Sequence, residues 1–147
     1  MEQNLHLLLY RTFHAQRKYL RAYMKELGLG VGQPKLIAYL SDHGPCRQRA
    51  LAEYFEIDPA AVCRMLDALQ KGGFIIRQTD SLSRRRDLIA ITEQGRQAAQ
   101  AWRGRCREAE AIMLQGFTPE EIIQFSNYLA RAHQNFRIWQ EGHPCEI

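Results

Sequence analysis

Apolar positions recur along this chain with two different periods, and the switch between them divides it. From Asn4 to Leu27, Leu5, Leu8, Leu9, Phe13, Leu20, Tyr23, Met24 and Leu27 form a broad stripe at helical spacing, closed by Gly28. A second helix is predicted from about Gln33 to Asp42, with Leu36, Ile37 and Leu40 inward and Gly44-Pro45 as its stop. A third, near Arg47 to Phe55, turns Leu51, Ala52 and Phe55 inward. Glu56-Ile57 then makes a short turn into a fourth helix. There Asp58 caps the free amides, Pro59 suits the first helical position, and Val62, Met65, Leu66 and Leu69 recur at i, i+3, i+4 and i+7. Ala60, Ala61, Cys63, Arg64 and Asp67 are left on the opposite side.

After Gly72-Gly73 the period changes. Phe74 to Gln78 and Asp87 to Ile91 are β-prone runs around the loop Thr79-Asp80-Ser81-Leu82-Ser83-Arg84-Arg85-Arg86, which is too long for a two-residue turn. A protruding, positively charged hairpin is the expectation. The helical period then returns from about Glu93 to Leu114. Thr118-Pro119-Glu120-Glu121 opens a last helix with a cap, a first-turn proline and a capping-box glutamate. Ile122, Phe125, Leu129, Ala132, Phe136 and Trp139 share one of its faces, and Gly142-His143-Pro144 ends it.

Helix, short turn, helix and basic hairpin is the order of a winged helix-turn-helix. The predicted fold class is therefore mainly α with a small β-hairpin wing. In such a fold the second helix of the pair enters the major groove and the hairpin reaches the neighbouring minor groove. The first and last helices carry more apolar surface than a winged-helix core can cover. Leu5, Leu8, Leu9, Ile122, Phe125, Leu129, Phe136 and Trp139 are thus candidate dimerisation residues, paired with the same helices of a second chain.

Composition narrows the field. With 46% hydrophobic and 24% charged residues, the 147-residue chain has the make-up of an ordered globular protein. No apolar run reaches the roughly 20 residues that span a bilayer, and Leu7-Leu8-Leu9 followed by Arg11, Arg17, Lys18 and Arg21 does not read as a signal peptide. A cytoplasmic location is expected. Cys46, Cys63, Cys106 and Cys145 are irregularly spaced and suggest neither disulfides nor a zinc site, and the five histidines form no ligand pair. No GxSxG, HExxH, P-loop or dinucleotide fingerprint occurs, so neither an enzyme nor a cofactor is expected. The net charge of +4 is unevenly spread, with the excess Lys and Arg within residues 1–107 and an acidic balance in residues 108–147. Such a split suits one side facing a polyanion.

Four stretches, in order, resemble the MarR family of bacterial regulators. They are Leu27-Gly28-Leu29 with Gly32-Gln33 and Leu40, then Arg49 to Asp58, then Val62-Cys63-Arg64, Leu66 and Leu69 with Gly73-Phe74-Ile75. The last comprises Asp80, Arg84, Arg85 and Leu88, closing on Ile91-Thr92-Glu93-Gln94-Gly95. Two departures stand out. Ser83 replaces the acid that usually braces a wing arginine, and Ala60, Ala61 and Cys63 fall where small hydroxyl residues are common.

The resemblance implies a single domain over residues 1–147. Residues 1–30 and 93–141 would form the helical dimerisation region, 31–92 the DNA-binding lobe, and 142–147 a tail. It implies a homodimer on a pseudo-palindromic double-stranded operator. Arg64 would read a base edge, Ala60, Ala61 and Cys63 would approach the bases, Arg47, Gln48 and Arg49 would meet phosphate, and Arg84, Arg85 and Arg86 would enter the minor groove. It also implies a repressor released by a small, often phenolic effector, for which Tyr10, Phe13, Tyr19, Tyr23 and Trp102 are candidate pocket residues. Two alternatives remain at this point: a redox-sensing regulator acting through Cys63, and a winged-helix protein-interaction module without DNA binding.

Overall fold

The computed structural model describes residues 4–80 and 83–144, and of residues 79, 80 and 83–87 the backbone alone. Among the described residues, six helices and three strands follow in the order α1 (Leu5–Glu26), α2 (Gln33–His43), β1 (Cys46–Arg47), α3 (Gln48–Phe55), α4 (Pro59–Lys71), β2 (Ile75–Asp80), β3 (Ser83–Ile91), α5 (Glu93–Met113) and α6 (Pro119–Gly142). The predicted fold class is the observed one. Contacts gather the chain into two units, Met1–Glu110 and Ala111–Ile147.

Within the first unit the core is built from the inward stripes of three short helices. Leu36, Ile37 and Leu40 of α2, Leu51 and Ala52 of α3, and Val62, Leu66 and Leu69 of α4 are buried together with Phe74, Ile75, Ile89, Ala98 and Ala99. Each large side chain removed from water contributes about 1.5–3 kcal/mol, so this cluster is the main adhesive of the unit. Asp58 caps α4 as its sequence suggests, its Oδ2 accepting from Ala61 N at 3.1 Å. Glu56, in the turn between α3 and α4, takes a left-handed conformation with φ 54°. That lets Ile57 N return to Ala52 O at 3.0 Å and sets α4 across α3.

Two expectations need correction. Arg47 does not belong to a helix. Cys46 and Arg47 form β1, antiparallel to β3 with Cys46 opposite Ile89 and Arg47 opposite Leu88, and α3 starts at Gln48. A two-residue strand shows no periodicity, so the pattern of apolar positions could not reveal it. The hairpin is also longer than predicted. β2 continues to Asp80 and β3 begins at Ser83, so Thr79, Asp80 and Ser83 of the segment read as loop are paired, in a sheet of order β1-β3-β2. The register passes from Thr79 opposite Asp87 directly to Asp80 opposite Ser83, and Arg84–Arg86 occupy that shift. A run of extra residues on one strand bends and twists a ladder, which the polar sequence alone does not announce.

The base of the hairpin is fastened to the end of α4. Gly73, at φ 84°, turns the chain out of the helix. Thr92 N donates to Phe74 O at 3.1 Å, and Thr92 Oγ1 donates to Gly73 O at 2.6 Å while accepting from Gly95 N at 3.0 Å. Gln94 Nε2 reaches Gly72 O at 3.1 Å. At Gly95 a Cβ would lie 2.1 Å from Phe74 O and 2.6 Å from Ile91 Cγ1, so only glycine permits this approach.

α1 buries none of its residues. Its C-terminal end packs Met24 and Leu27 partly against the core, but Leu5, Leu8, Leu9, Tyr10 and Phe13 are all exposed. In the second unit, Thr118 and Glu121 form the predicted capping box, with Glu121 N donating to Thr118 Oγ1 and Thr118 N to Glu121 Oε2. α6 likewise buries no residue, and Leu129, Phe136 and Trp139 are exposed while Ile122 and Phe125 are half-buried.

Gly95→Ala should destabilise the protein by about 2 kcal/mol or more, because the clash is with backbone and cannot be relieved by a side-chain rotation. Urea unfolding of the two proteins measures it, and a change within about 0.5 kcal/mol would mean that the junction has slack.

Candidate nucleic-acid interface

The exposed side of α4 lies opposite the stripe that the core takes. Val62, Leu66 and Leu69 are buried, whereas Ala60 and Arg64 are exposed and Ala61 and Cys63 half-buried. Small side chains around Arg64 leave the helix backbone open to close approach. No hydrogen bond or ion pair holds the Arg64 side chain among the described residues, although Asp67 lies one turn further along the same side. Asp67 is instead engaged by Arg77 of β2, with Nη2 to Oδ1 at 2.8 Å. Arg77 also donates to Gln70 Oε1.

The start of α3 abuts the start of α4, where Gln48 Nε2 donates to Pro59 O at 3.5 Å. Arg49 is strongly exposed and pairs with Glu53 one turn on at 2.8 Å. Arg47 is half-buried in β1. Arg84, Arg85 and Arg86 lie in β3, but their side chains fall outside the described residues, as does Cys145. α3, α4 and the two hairpin strands thus present a helix pair with a basic β-arm in one unit, the arrangement that a groove-reading helix and a wing require.

The five aromatic residues proposed for a pocket are not gathered in one place. Trp102 lines a cleft of about 150 Å³ with Arg17, Leu20, Arg21, Met24, Val31 and Lys35 among its other walls. Tyr10 and Phe13 line a separate groove along α1 with His14, Arg17, Lys18 and Arg21. Tyr19 and Tyr23 pair with each other, ring centroids 5.3 Å apart, with the Arg105 guanidinium 4.0 Å over Tyr23. Their hydrogen bond raises the Tyr19 phenol above its usual range, with burial adding to the shift. Among the described residues, the Trp102 cleft is lined by three cations and no acid. Burial and the neighbouring Arg17 lower the Lys35 ammonium from its usual range, so Lys35 holds its proton less tightly folded than unfolded.

The cysteines differ in setting. Burial pushes the thiols of Cys46 and Cys106 up, and Glu110 adds to the effect at Cys106. Cys63 Sγ donates to Asp67 Oδ2 at 4.0 Å. Among the described residues no group of three His, Cys, Asp or Glu side chains could hold a metal ion, and no helix is long and apolar enough to cross a membrane.

Sequence reasoning missed the part played by Asp67, Gln70 and Arg77. A signal existed: Ile75 and Arg77 are two apart in a strand and so share a face, and Ile75 is buried. An arginine on an inward face requires an acceptor.

The helix pair and the hairpin are those of a winged helix-turn-helix regulator that binds DNA. The chain belongs to the MarR family, whose model matches residues 31–86. It is 31% identical over 101 residues to YxaD of Bacillus subtilis (strain 168), an uncharacterized HTH-type transcriptional regulator, covering 69% of this chain and 71% of that one. It is 27% identical over 111 residues to the HTH-type transcriptional repressor MdtR of the same organism, covering 76% and 72%. The fold also matches a Listeria monocytogenes regulator crystallised with 26mer DNA, with TM-score 0.88, 22% identity and coverage of 99% and 97%.

Proposed function

We propose that this MarR-family regulator is a homodimeric repressor that reads a pseudo-palindromic operator with one α4 per half-site and leaves it when a small aromatic anion binds. The observation that carries the reading is the exposed, unpaired Arg64 among small residues on α4, with a second basic element, the hairpin, in the same unit. A guanidinium pairs bidentately with a guanine edge, while Ala61 and Cys63 suit thymine methyls. Arg47, Gln48 and Arg49 serve as phosphate contacts, and Arg84, Arg85 and Arg86 as the minor-groove arm, where narrow A·T tracts strengthen the negative potential. Similarity to the repressor MdtR supports the sign of regulation.

Dimerisation is supported by the apolar faces of α1 and α6. Leu5, Leu8 and Leu9 of α1 and Leu129, Phe136 and Trp139 of α6 are all more than 40% exposed in the single chain. Apolar surface contributes roughly 25 cal/mol per Å² when buried, so two such helices favour a second copy. Charge supports the effector class: three cations around the apolar Trp102 cleft suit a carboxylated or phenolate ring. Aromatic residues elsewhere on α1 are then structural rather than ligand-binding.

Replacing Arg64 with Ala should abolish the preference for an operator selected from a random duplex pool by the wild-type protein. Arg47→Ala should weaken selected and scrambled duplexes alike and flatten the salt dependence by about one unit of slope. Equal losses on both duplexes for both variants contradict this division.

Lys35→Met should raise the melting temperature slightly at neutral pH, because a lysine whose folded pKa is lowered costs stability while protonated; solvent screening of this exposed side chain keeps the gain small, and the cost fades as pH rises through its titration. The same variant should resist release from DNA by benzoate. Benzoate displacing the variant as readily as wild type would rule the cleft out.

Glutamate at Leu9 or Phe136 should yield monomers in sedimentation velocity and lose operator affinity; dimers that survive both changes would place the interface elsewhere.

A further inference from the structure

Arg64 and Asp67 stand three residues apart on α4, the spacing at which an arginine and an acid on a helix surface pair. They do not pair here. Arg77 of β2 takes the carboxylate through Oδ1 at 2.8 Å and binds Gln70 Oε1 with its other terminal nitrogen, while Cys63 Sγ approaches Oδ2 at 4.0 Å. Arg77 is only 21% exposed on its side chain, against 63% for Asp67. Its planar fork is therefore held against the sheet with two acceptors on successive turns of α4, whereas a surface pair would be free to exchange.

We infer that Arg77 is a positioning residue for sequence recognition: by sequestering Asp67 it keeps Arg64 unpaired and available to a base. Without Arg77, the exposed Asp67 carboxylate would be left uncompensated beside the groove-facing arginine. It would pair with Arg64 and repel phosphate, and both effects oppose binding. The inference rests on the reading of Arg64 as the base-contacting residue. It adds that discrimination between duplexes is controlled from a strand residue that touches no DNA.

The competition for Asp67 makes a rescue experiment decisive. Full-length variants are titrated by fluorescence anisotropy against a duplex selected from a random pool by the wild-type protein and against a scrambled duplex. Arg77→Met should lower affinity for the selected duplex by about tenfold and the scrambled one by less. Adding Asp67→Asn to Arg77→Met should restore most of the lost discrimination, since the competing acid is gone. A clamp that served stability alone would not be rescued, because the double variant lacks it too; failure of the rescue, or no loss in Arg77→Met, overturns the inference. A salt slope lowered by about one unit in Arg77→Met would show direct phosphate contact and overturn it equally. Arg64→Ala in the same titrations separates the two claims. Discrimination surviving that change sinks the base-contact reading, and discrimination lost there but kept in Arg77→Met sinks the positioning role alone.

Discussion

The close approach of Gly95 to the Phe74 carbonyl governs the geometry of the DNA-binding lobe. It brings the start of α5 against the exit of α4, so that Thr92 can bond both Gly73 O and Phe74 O. Because β2 leaves this point and β3 returns to it, the hairpin is anchored at both ends to the end of α4. Buried, hydrogen-bonded backbone of this kind has few alternative arrangements, so the base of the hairpin is held firmly against α4. The apolar cluster of α2, α3 and α4 completes the lobe from the other side.

Charge placement follows from that rigidity. With β2 fixed against α4, Arg77 reaches Asp67 and Gln70, and the acid on α4 is neutralised from within the unit. Arg64 is left without a partner among the described residues. The same frame places Arg84–Arg86 in the register shift of β3, where the ladder departs from regular pairing. Part of the basic excess of residues 1–107 thus lies on α4, the start of α3 and the hairpin of one unit, and much of the rest lies on α1 and α5.

Elsewhere the chain carries features that cost stability in isolation. α1 and α6 expose rows of Leu, Phe and Trp, and Arg17, Arg21 and Lys35 crowd a cleft without an acid. Burial against another protein surface would relieve the first, and a bound anion the second. Stability surrendered at such places is commonly tied to function.

The sequence by itself determined the helices, their caps and their inward stripes. Asp58-Pro59, Gly72-Gly73 and Thr118-Pro119-Glu120-Glu121 are local chemical instructions, and the i, i+3, i+4 pattern of Val62, Met65, Leu66 and Leu69 states which side of α4 is buried. Since these signals act over a few residues, the order of elements and the exposed Arg64 could be read directly. The tertiary structure decided what depends on distant segments meeting. β1 exists only because β3 lies beside Cys46 and Arg47, and the long hairpin exists because pairing extends past the last apolar residue. Asp67 belongs to Arg77, not to its helical neighbour Arg64, because the strand approaches α4 closely enough to outcompete a pairing that spacing alone favours. The aromatic residues of α1 are dispersed for a related reason: helical spacing assigns them a face, and only packing decides what that face meets.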